Sequence, residues 1–306
     1  MGPKKDGFTT IELLTVLAII AILAGILIPT VSYVRNTARA AKTGVQFATI
    51  DMALMAFKGD TGDYPPSTLD IRGAGYYYCG AQKLAEALLG WDLLGFHPKS
   101  AWRADGYDGL TSTGPWTYDP AKGRDDNLDD IPDTLNERVG PYLELGTASA
   151  FKLNQLFPNP PTTALNLNTY VLCDSFGAKP VTITSATGES RTVKVGRPIL
   201  YYKANTNSKV YWPISAADAA NTIYNYTDNF NLIDLKRSSE VSNDPLYYRG
   251  TPLGTYLYWP AYKLVDPKIF DASGGKVLWP CRPDSYILIS AGVDGLYGTQ
   301  DDICNF

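Results

Sequence analysis

The sequence FTTIELLTVLAIIAILAGILI occupies residues 8–28 and contains one charged residue, Glu12. As an α-helix this stretch would measure about 31 Å, which is enough to cross the hydrocarbon core of a bilayer. Placing a carboxylate in hydrocarbon costs at least about 3 kcal/mol, so an acid within such a segment is expected to have a function. The stretch therefore predicts a membrane-spanning helix with a functional site at Glu12.

The helical pattern continues beyond the apolar run. Pro29 is expected to kink the helix or to loosen its local hydrogen bonds, and a helix end at this point is the alternative. The pattern extends to about Lys58, and Gly59 is predicted to cap the helix. The helix is thus divided into a transmembrane half, residues 8–28, and an amphipathic half, residues 29–58.

Two apolar stripes follow the amphipathic half on nearly opposite faces. The first consists of Phe47, Ile50, Leu54 and Phe57. The second consists of Val34, Ala38, Ala41, Val45, Ala48, Met52 and Met55. A helix that lies on one globular domain needs a single stripe. Two stripes predict two partners, the chain's own domain and the helices of adjacent subunits, whereas a helix sunk in one deep groove is the alternative.

The N-terminal residues closely resemble the signature of type IV pilins and of the pseudopilins of type II secretion. Residues 4–14 read KKDGFTTIELL, a short basic leader that ends in glycine and is followed by an aromatic residue and a glutamate. The resemblance implies that a prepilin peptidase removes residues 1–7 by cutting after Gly7, and methylates the new N-terminus at Phe8. It also implies that Glu12 meets the free amine of a neighbouring subunit, which suits opposite charges in a low dielectric.

The same resemblance implies a structural filament subunit. A long N-terminal helix would carry a small α+β head with an antiparallel sheet, residues 59–306, and Phe8, Glu12 and Pro29 would be the assembly residues. The subunit would sit in the bacterial inner membrane with a cytoplasmic N-terminus. An inner-membrane assembly platform would then move it into a periplasmic or extracellular homo-oligomeric filament that can include other pilin-like subunits.

Several subunit types share this signature. A G-type-like subunit of a type II secretion pseudopilus is the preferred interpretation. A major or minor type IV pilin with a role in adhesion or DNA uptake is the alternative, and a membrane-anchored protein that never polymerises is a third.

Two simpler interpretations of the apolar run fit its surroundings less well. A secretory signal peptide places a small-residue cleavage site after its apolar core, and residues 26–29 offer none. A plain membrane anchor leaves Glu12 unexplained. Basic residues stand on both sides of the run, so the positive-inside rule does not decide the orientation, whereas the family resemblance does.

Composition narrows the function of the head. The formal net charge of −4 argues against a strongly basic nucleic-acid surface, and no nucleic-acid partner is expected. The four cysteines all follow the apolar run, and an oxidising compartment would permit up to two disulfides in three pairings. Cys281 with Cys304 is the preferred pair.

The C-terminal segment resembles the calcium loop of G-type pseudopilins. Residues 290–303 read SAGVDGLYGTQDDI, with three carboxylates and three glycines. Calcium takes six to eight oxygen ligands from a chain that can curl around it. The resemblance implies that Asp294, with one or both of Asp301 and Asp302, donates carboxylates to a structural calcium ion, and that backbone carbonyls near Ala291 complete the shell. A solvated acidic turn is the alternative.

A second acidic segment, residues 125–133, resembles the calcium loops of thrombospondin-type repeats. Its ligands would be Asp125, Asn127, Asp129 and Asp133. Asp130 replaces the usual glycine, so an exposed acidic linker is the favoured interpretation.

Catalytic motifs are absent from the sequence, and an enzyme is not expected. His97 is the only histidine and has no metal-binding motif around it, and neither a nucleophile elbow nor a phosphate-binding glycine loop is present. The tyrosines at 76–78 are compatible with a binding surface, but packing of their rings in a half-buried strand or loop is favoured.

The pattern after the long helix predicts one short helix and then β structure. The helix is expected over residues 82–89, ended by Gly90, and an irregular region over 91–146. Residues 151–157 are expected to add a helical turn or two. Strands are expected at 170–173, 181–184, 191–195, 198–202, 209–212 and 286–290, and the second and third of these should form a hairpin.

Overall fold

The computed structural model describes residues 9–71, 75–107, 117–118, 133–157, 164–177, 179–184, 188–208, 221–239, 267–276, 279–299 and 301–306. A long N-terminal helix is joined to a head in which short helices accompany small antiparallel sheets, so the predicted α+β class is confirmed. The described helices are α1 (Thr10–Thr61), α2 (Gly80–Leu89), α3 (Asp133–Asn136), α4 (Leu145–Ala148), α5 (Leu153–Leu156), α6 (Phe230–Ser239) and α7 (Pro267–Ala272). The described strands are β1 (Asp70–Ile71), β2 (Tyr77–Tyr78), β3 (Ala150–Lys152), β4 (Tyr170–Leu172), β5 (Lys179–Thr184), β6 (Ser190–Val195), β7 (Leu200–Lys203), β8 (Tyr286–Ser290) and β9 (Ile303–Cys304).

Helix α1 is continuous over 52 residues, with Pro29 inside it, so the alternative of a helix end at Pro29 is wrong. At the usual rise it is about 78 Å long. The predicted cap at Gly59 is also wrong, because the helix continues to Thr61. Gly62 ends it in the left-handed conformation, with φ 90°, and donates its N–H to the Lys58 carbonyl at 2.8 Å.

The second half of α1 packs on the head through the first predicted stripe. Phe47, Ile50, Leu54 and Phe57 are all buried, together with Ala53. They share one core cluster with the apolar side of α2 and with residues of β7 and β8. The Phe57 ring meets the rings of Phe96 and Tyr142 edge to face, with centroids 5.0 and 5.7 Å apart. These contacts fix α1 against the head.

A three-stranded antiparallel sheet in the order β7-β8-β9 lies at the centre of the head. Leu200 pairs with Ile289, and Ile289 pairs in turn with Cys304. Because side chains alternate across a strand, Tyr201 and Leu288 join the cluster beneath α1, whereas Leu200 and Ile289 join the second core cluster. All five residues of β8 are buried, which explains the apolar run from Tyr286 to Ile289.

Helix α2 begins at Gly80 and ends before Gly90, and every one of its residues is buried. The helix predicted over residues 82–89 is thus confirmed, but its polar residues are not on a solvated face. Lys83 is fully buried and forms a 2.7 Å ion pair with Asp70. The cost of burying this ammonium group is offset by the ion pair and by hydrogen bonds to Thr68.

The other strand predictions are confirmed where the structure describes them. Strands β5 and β6 form the expected hairpin, with Lys179 opposite Val195 and Thr184 opposite Ser190. The segment predicted over 170–173 is β4, which pairs with β3. The region expected to be irregular, 91–146, contains the short helix α3 and the first two residues of α4. The strand predicted at 209–212 lies outside the described residues.

The structure joins none of its described cysteines by a disulfide, and the preferred Cys281–Cys304 pair stays a prediction. Cys304 lies opposite Ile289, near the end of β8, whereas Cys281 precedes the start of that strand at Tyr286.

Candidate functional site

The first half of α1 is an exposed apolar rod. An 18-residue window of it has a mean hydropathy of 2.8, and none of that window is buried against the head. By length and composition this helix could cross a membrane, either as a stable span or as a signal anchor. Ile11, Leu27 and Ile28 are each at least 64% exposed. An uncovered apolar surface of this size indicates contact with lipid or with another protein.

Glu12, the single charged residue of the apolar run, lies in the first turn of this helix. Thr9 is the N-cap, and its backbone N–H and its hydroxyl donate to Glu12 Oε2 at 2.8 and 2.7 Å. The Glu12 N–H donates in return to Thr9 Oγ1 at 3.3 Å. This is a capping box, in which two helix-end donors are satisfied reciprocally. The Glu12 carboxylate thus lies at the helix N-terminus, where the helix dipole favours a negative charge.

The second predicted stripe of α1 faces away from the head. All seven of its residues are exposed, namely Val34, Ala38, Ala41, Val45, Ala48, Met52 and Met55. Val45 and Met52 are 68% and 64% exposed. The alternative of one deep groove is therefore wrong for this half of the helix. The outward stripe continues the apolar surface of the first half, so one face of α1 is apolar along most of its length.

Polar contacts hold the inward face in one register on the head. Asp51 accepts hydrogen bonds from the Tyr286 hydroxyl at 2.7 Å and from the Asn305 amide at 3.1 Å, and it lies 3.4 Å from the Arg282 guanidinium. Gln46 Nε2 donates to the Cys173 carbonyl at 2.9 Å. These bonds reach the residue after β4, the first residue of β8 and the C-terminal segment, so sliding of α1 by one turn would break all of them.

The C-terminal acidic loop brings together two of its three predicted carboxylate ligands. The Asp294 N–H donates to Asp301 Oδ2 at 2.9 Å, and the Thr299 hydroxyl donates to Asp301 Oδ1 at 2.5 Å. Asp302 accepts the N–H of Gly298, in the same loop, at 2.5 Å. Ala291 is fully buried at the start of the loop. Asp294 and Asp301 therefore lie next to each other in this loop.

The electrostatics of this pair are asymmetric. Burial and the nearby charge of Asp301 raise the pKa of Asp294. Burial also acts to raise the pKa of Asp301, but hydrogen bonds from Thr299 and from the Asp294 and Val293 backbone outweigh it, so that pKa is lowered. Two carboxylates that interact so closely would both be stabilised by a cation between them. Among the described residues, however, no group of three or more acidic, histidine or cysteine side chains converges in the way a metal shell requires.

A buried carboxyl links this loop to the strand beneath α1. Asp174 accepts hydrogen bonds from the Ser290 hydroxyl at 2.7 Å and from the backbone N–H groups of Phe176 and Arg197 at 3.0 and 3.1 Å. Burial raises the pKa of Asp174 despite these bonds. A side chain at Gly196 would overlap Asp174, which explains the glycine there.

The remaining predicted site residues lie elsewhere. Gly7 and Phe8 lie outside the described residues, as do Asp125, Asn127 and Asp129. Asp133 begins α3.

The tyrosine run at 76–78 and His97 mainly contribute to the packing of the head. Tyr78 is buried and Tyr77 is half-buried, so ring packing accounts for most of the tyrosine run, although Tyr76 is exposed. His97 is buried, and its Nδ1 accepts the Lys99 N–H at 3.1 Å.

Comparisons with protein-family models, with curated proteins and with solved structures find no match to this chain.

Proposed function

We propose that this chain is a pilin-like filament subunit, of the kind found in type II secretion pseudopili, and that its activity is assembly rather than catalysis. The single observation that supports this best is the division of α1 into a buried and an exposed apolar stripe. One face of α1 is used by its own head. The other face, continuous with the apolar first half, is uncovered in the single chain and suits a filament core made of parallel copies of the same helix.

The length of the uncovered apolar stripe favours such a filament core over an isolated membrane anchor. A plain anchor would need an apolar surface only over the roughly 20 residues that cross a bilayer. Here the uncovered stripe continues to Met55, which is 27 residues past the end of the apolar run at Ile28. At the rise of an α-helix this is about 40 Å further. Apolar residues held that far outside lipid would be covered if a second helix packed along them.

Glu12 supplies the charge that sets the register in this proposal. In the single chain its carboxylate is bound by Thr9 of the same chain. After cleavage behind Gly7, Phe8 would present a positively charged amine, and the Glu12 of one subunit would exchange its bonds to Thr9 for that amine on the next. An ion pair in a low dielectric is strong enough to favour one stagger of the helices over others.

Mass spectrometry of the protein purified from its native host tests the processing step. The proposal predicts an N-terminus at Phe8 that carries one added methyl group, and loss of residues 1–7. A mature protein that retains Met1 would contradict it. Substitution of Gly7 by alanine is the matched control, since it should block cleavage and leave the full-length chain in the membrane.

We further propose that a calcium ion stabilises the C-terminal loop through Asp294, Asp301 and backbone carbonyls of the same loop. The observation behind this is the close pair of carboxylates, which repel each other without a cation. Asp302 is the third predicted carboxylate of the loop, and its Oδ2 accepts the Gly298 N–H. The ion's role would be structural, to hold the loop against β8 and β9.

Thermal unfolding with and without calcium tests this second proposal. Millimolar calcium should raise the melting temperature of the wild-type chain, since a ligand that binds only the folded state stabilises it by mass action. Chelator should reverse the effect, and Asp301→Asn should abolish it. An unchanged melting temperature in calcium and in chelator would show that the loop is a solvated acidic turn.

A further inference from the structure

The basic residues just beyond the apolar run have no role in the assembly proposal. Arg35, Arg39 and Lys42 follow one another along α1 in steps of four and three, so they lie within about 60° of one another around the helix axis. We call residues 33–42 the collar. No acid occurs anywhere in residues 13–50, so the collar carries a net charge of +3 on a chain whose formal net charge is −4.

The positive charges of the collar are not neutralised within the described part of the chain. Arg35 and Lys42 are exposed and Arg39 is half-buried, and none of the three forms a hydrogen bond or an ion pair with a described residue. In the head, by contrast, Lys83 and Arg138 are each bound to an aspartate, at 2.7 and 2.6 Å. Three like charges on one helix face repel one another, and an anionic partner would stabilise them.

The collar lies at the height of the lipid headgroups when the apolar run fills the hydrocarbon core. Tyr33 and Arg35 are five and seven residues past Ile28, which at the rise of a helix is about 8 and 11 Å. The headgroup layer is about 5–8 Å thick. Side chains on a helix lean towards its N-terminus, so those of the collar lean back towards the bilayer by about one turn. Arg35 therefore reaches the headgroups, and Arg39 and Lys42 lie within about one Debye length of them.

The head leaves this part of α1 open. The first residue of α1 that is buried is Thr43, whose hydroxyl accepts the Ser175 N–H at 3.3 Å. Tyr33 is 72% exposed, and tyrosine is favoured at membrane–water interfaces, where its ring contacts lipid and its hydroxyl contacts water. The outward stripe of α1, which includes Val34 and Val45, lies about a quarter turn around the helix from the three basic residues. Lipid contact and subunit contact would thus use different faces.

We propose that the collar binds the anionic headgroups of a phospholipid surface, at the point where α1 leaves the bilayer. Its three charges suit the phosphate groups of a lipid such as phosphatidylglycerol, because each basic residue near an anionic surface adds to the attraction. This contact would hold the apolar run at one depth in the bilayer. The proposal requires only that α1 crosses a membrane, and it does not depend on filament assembly, on calcium or on cleavage behind Gly7.

The lipid selectivity of the full chain tests the collar. The chain is reconstituted into phosphatidylcholine vesicles with a trace of spin-labelled phosphatidylglycerol or spin-labelled phosphatidylcholine, and electron paramagnetic resonance measures how much of each is immobilised on the protein. The wild type should prefer phosphatidylglycerol. The triple variant Arg35→Gln/Arg39→Gln/Lys42→Gln should reduce this preference by roughly fivefold, the effect of one basic residue at an anionic surface, since only Arg35 reaches the headgroup layer. Salt at about 1 M should also reduce it, because the Debye length falls to about 3 Å.

Two variants serve as controls for charge and position. Lys58→Gln removes one charge from an exposed site on the same helix, about 45 Å past the end of the apolar run, and should keep the wild-type preference. Arg35→Lys with Arg39→Lys keeps all three charges and should also keep it. Lys4 and Lys5 are present in every variant, so any effect of theirs cancels in the comparison.

Three results would overturn the proposal. One is equal binding of the two lipids by the wild type. Another is a triple variant that keeps the wild-type preference, since the contact with anionic lipid would then lie elsewhere on the chain. The third is a chain that does not float with the vesicles, because α1 would then not span a membrane. Lipid selectivity as predicted, in a chain that forms no filaments, would support the collar and contradict only the assembly proposal.

Discussion

The two faces of α1 can be separated by two neighbouring substitutions. Leu54 is fully buried between α1 and the head, whereas Met55, the next residue, is 59% exposed on the opposite face. Leu54→Ala should destabilise the head by about 3 kcal/mol, the middle of the range for a buried leucine that leaves a cavity. Met55→Ala should change the free energy of unfolding by less than about 0.5 kcal/mol, since no buried contact is lost.

Urea unfolding of the full chain in detergent micelles, followed by tryptophan fluorescence, measures this difference. In a thermal melt of a domain of this size, the same 3 kcal/mol would correspond to a fall in melting temperature of roughly 5–10 °C. Assembly should show the other difference. Met55→Ala should give a fully folded subunit with a reduced filament yield. Equal destabilisation by both variants, or a neutral Leu54→Ala, would refute the assignment of the two faces.

Three further predictions concern the head. Gly62→Ala should destabilise the chain by about 1 kcal/mol in a thermal melt, because φ is 90° at this residue. Gly59→Ala should be neutral or stabilising, because Gly59 lies inside the helix. The opposite order of stabilities would place the helix end at Gly59. Gly196→Ala should cost about 2 kcal/mol or more in urea, because the new methyl group overlaps Asp174, and an unchanged midpoint would contradict the packing described. Glu86 is buried, accepts the Tyr118 hydroxyl at 2.7 Å, and has a pKa raised by burial, so stability should fall as the pH rises past its ordinary range. Glu86→Gln should flatten this dependence in melts from pH 4 to pH 8, and a profile identical to the wild type would exclude Glu86 as its source.

The elements with a strong local pattern were predictable from the sequence. Both stripes of α1 follow from helical periodicity, and the structure buries one and exposes the other as predicted. The hairpin of β5 and β6 follows from two alternating runs around a turn. In these cases the signal lies within a few residues, so tertiary contacts do not need to be known.

The errors arose where local signals compete or where distant residues decide. Gly59 and Gly62 are both plausible helix ends, and the structure continues the helix through Asp60, whose carboxylate accepts the Tyr142 hydroxyl at 2.8 Å. The burial of Lys83 depends on Asp70 and on packing from several sides, which no periodicity in α2 reveals.

One missed feature was visible in the sequence. Thr9 and Glu12 have the spacing of a capping box, a role that was not among those predicted for Glu12. The structure supplies a local role for the same carboxylate. A test of the assembly role must therefore separate the cap from the intersubunit contact.

Filament yield from two variants, in cells that carry the prepilin peptidase and the assembly platform, makes that separation. Thr9→Ala removes the cap and keeps the acid, whereas Glu12→Gln removes the charge and keeps an acceptor for Thr9. We predict that Thr9→Ala subunits form filaments and that Glu12→Gln subunits are processed and inserted in the membrane but remain unassembled. Filaments of normal yield from Glu12→Gln subunits would contradict the account.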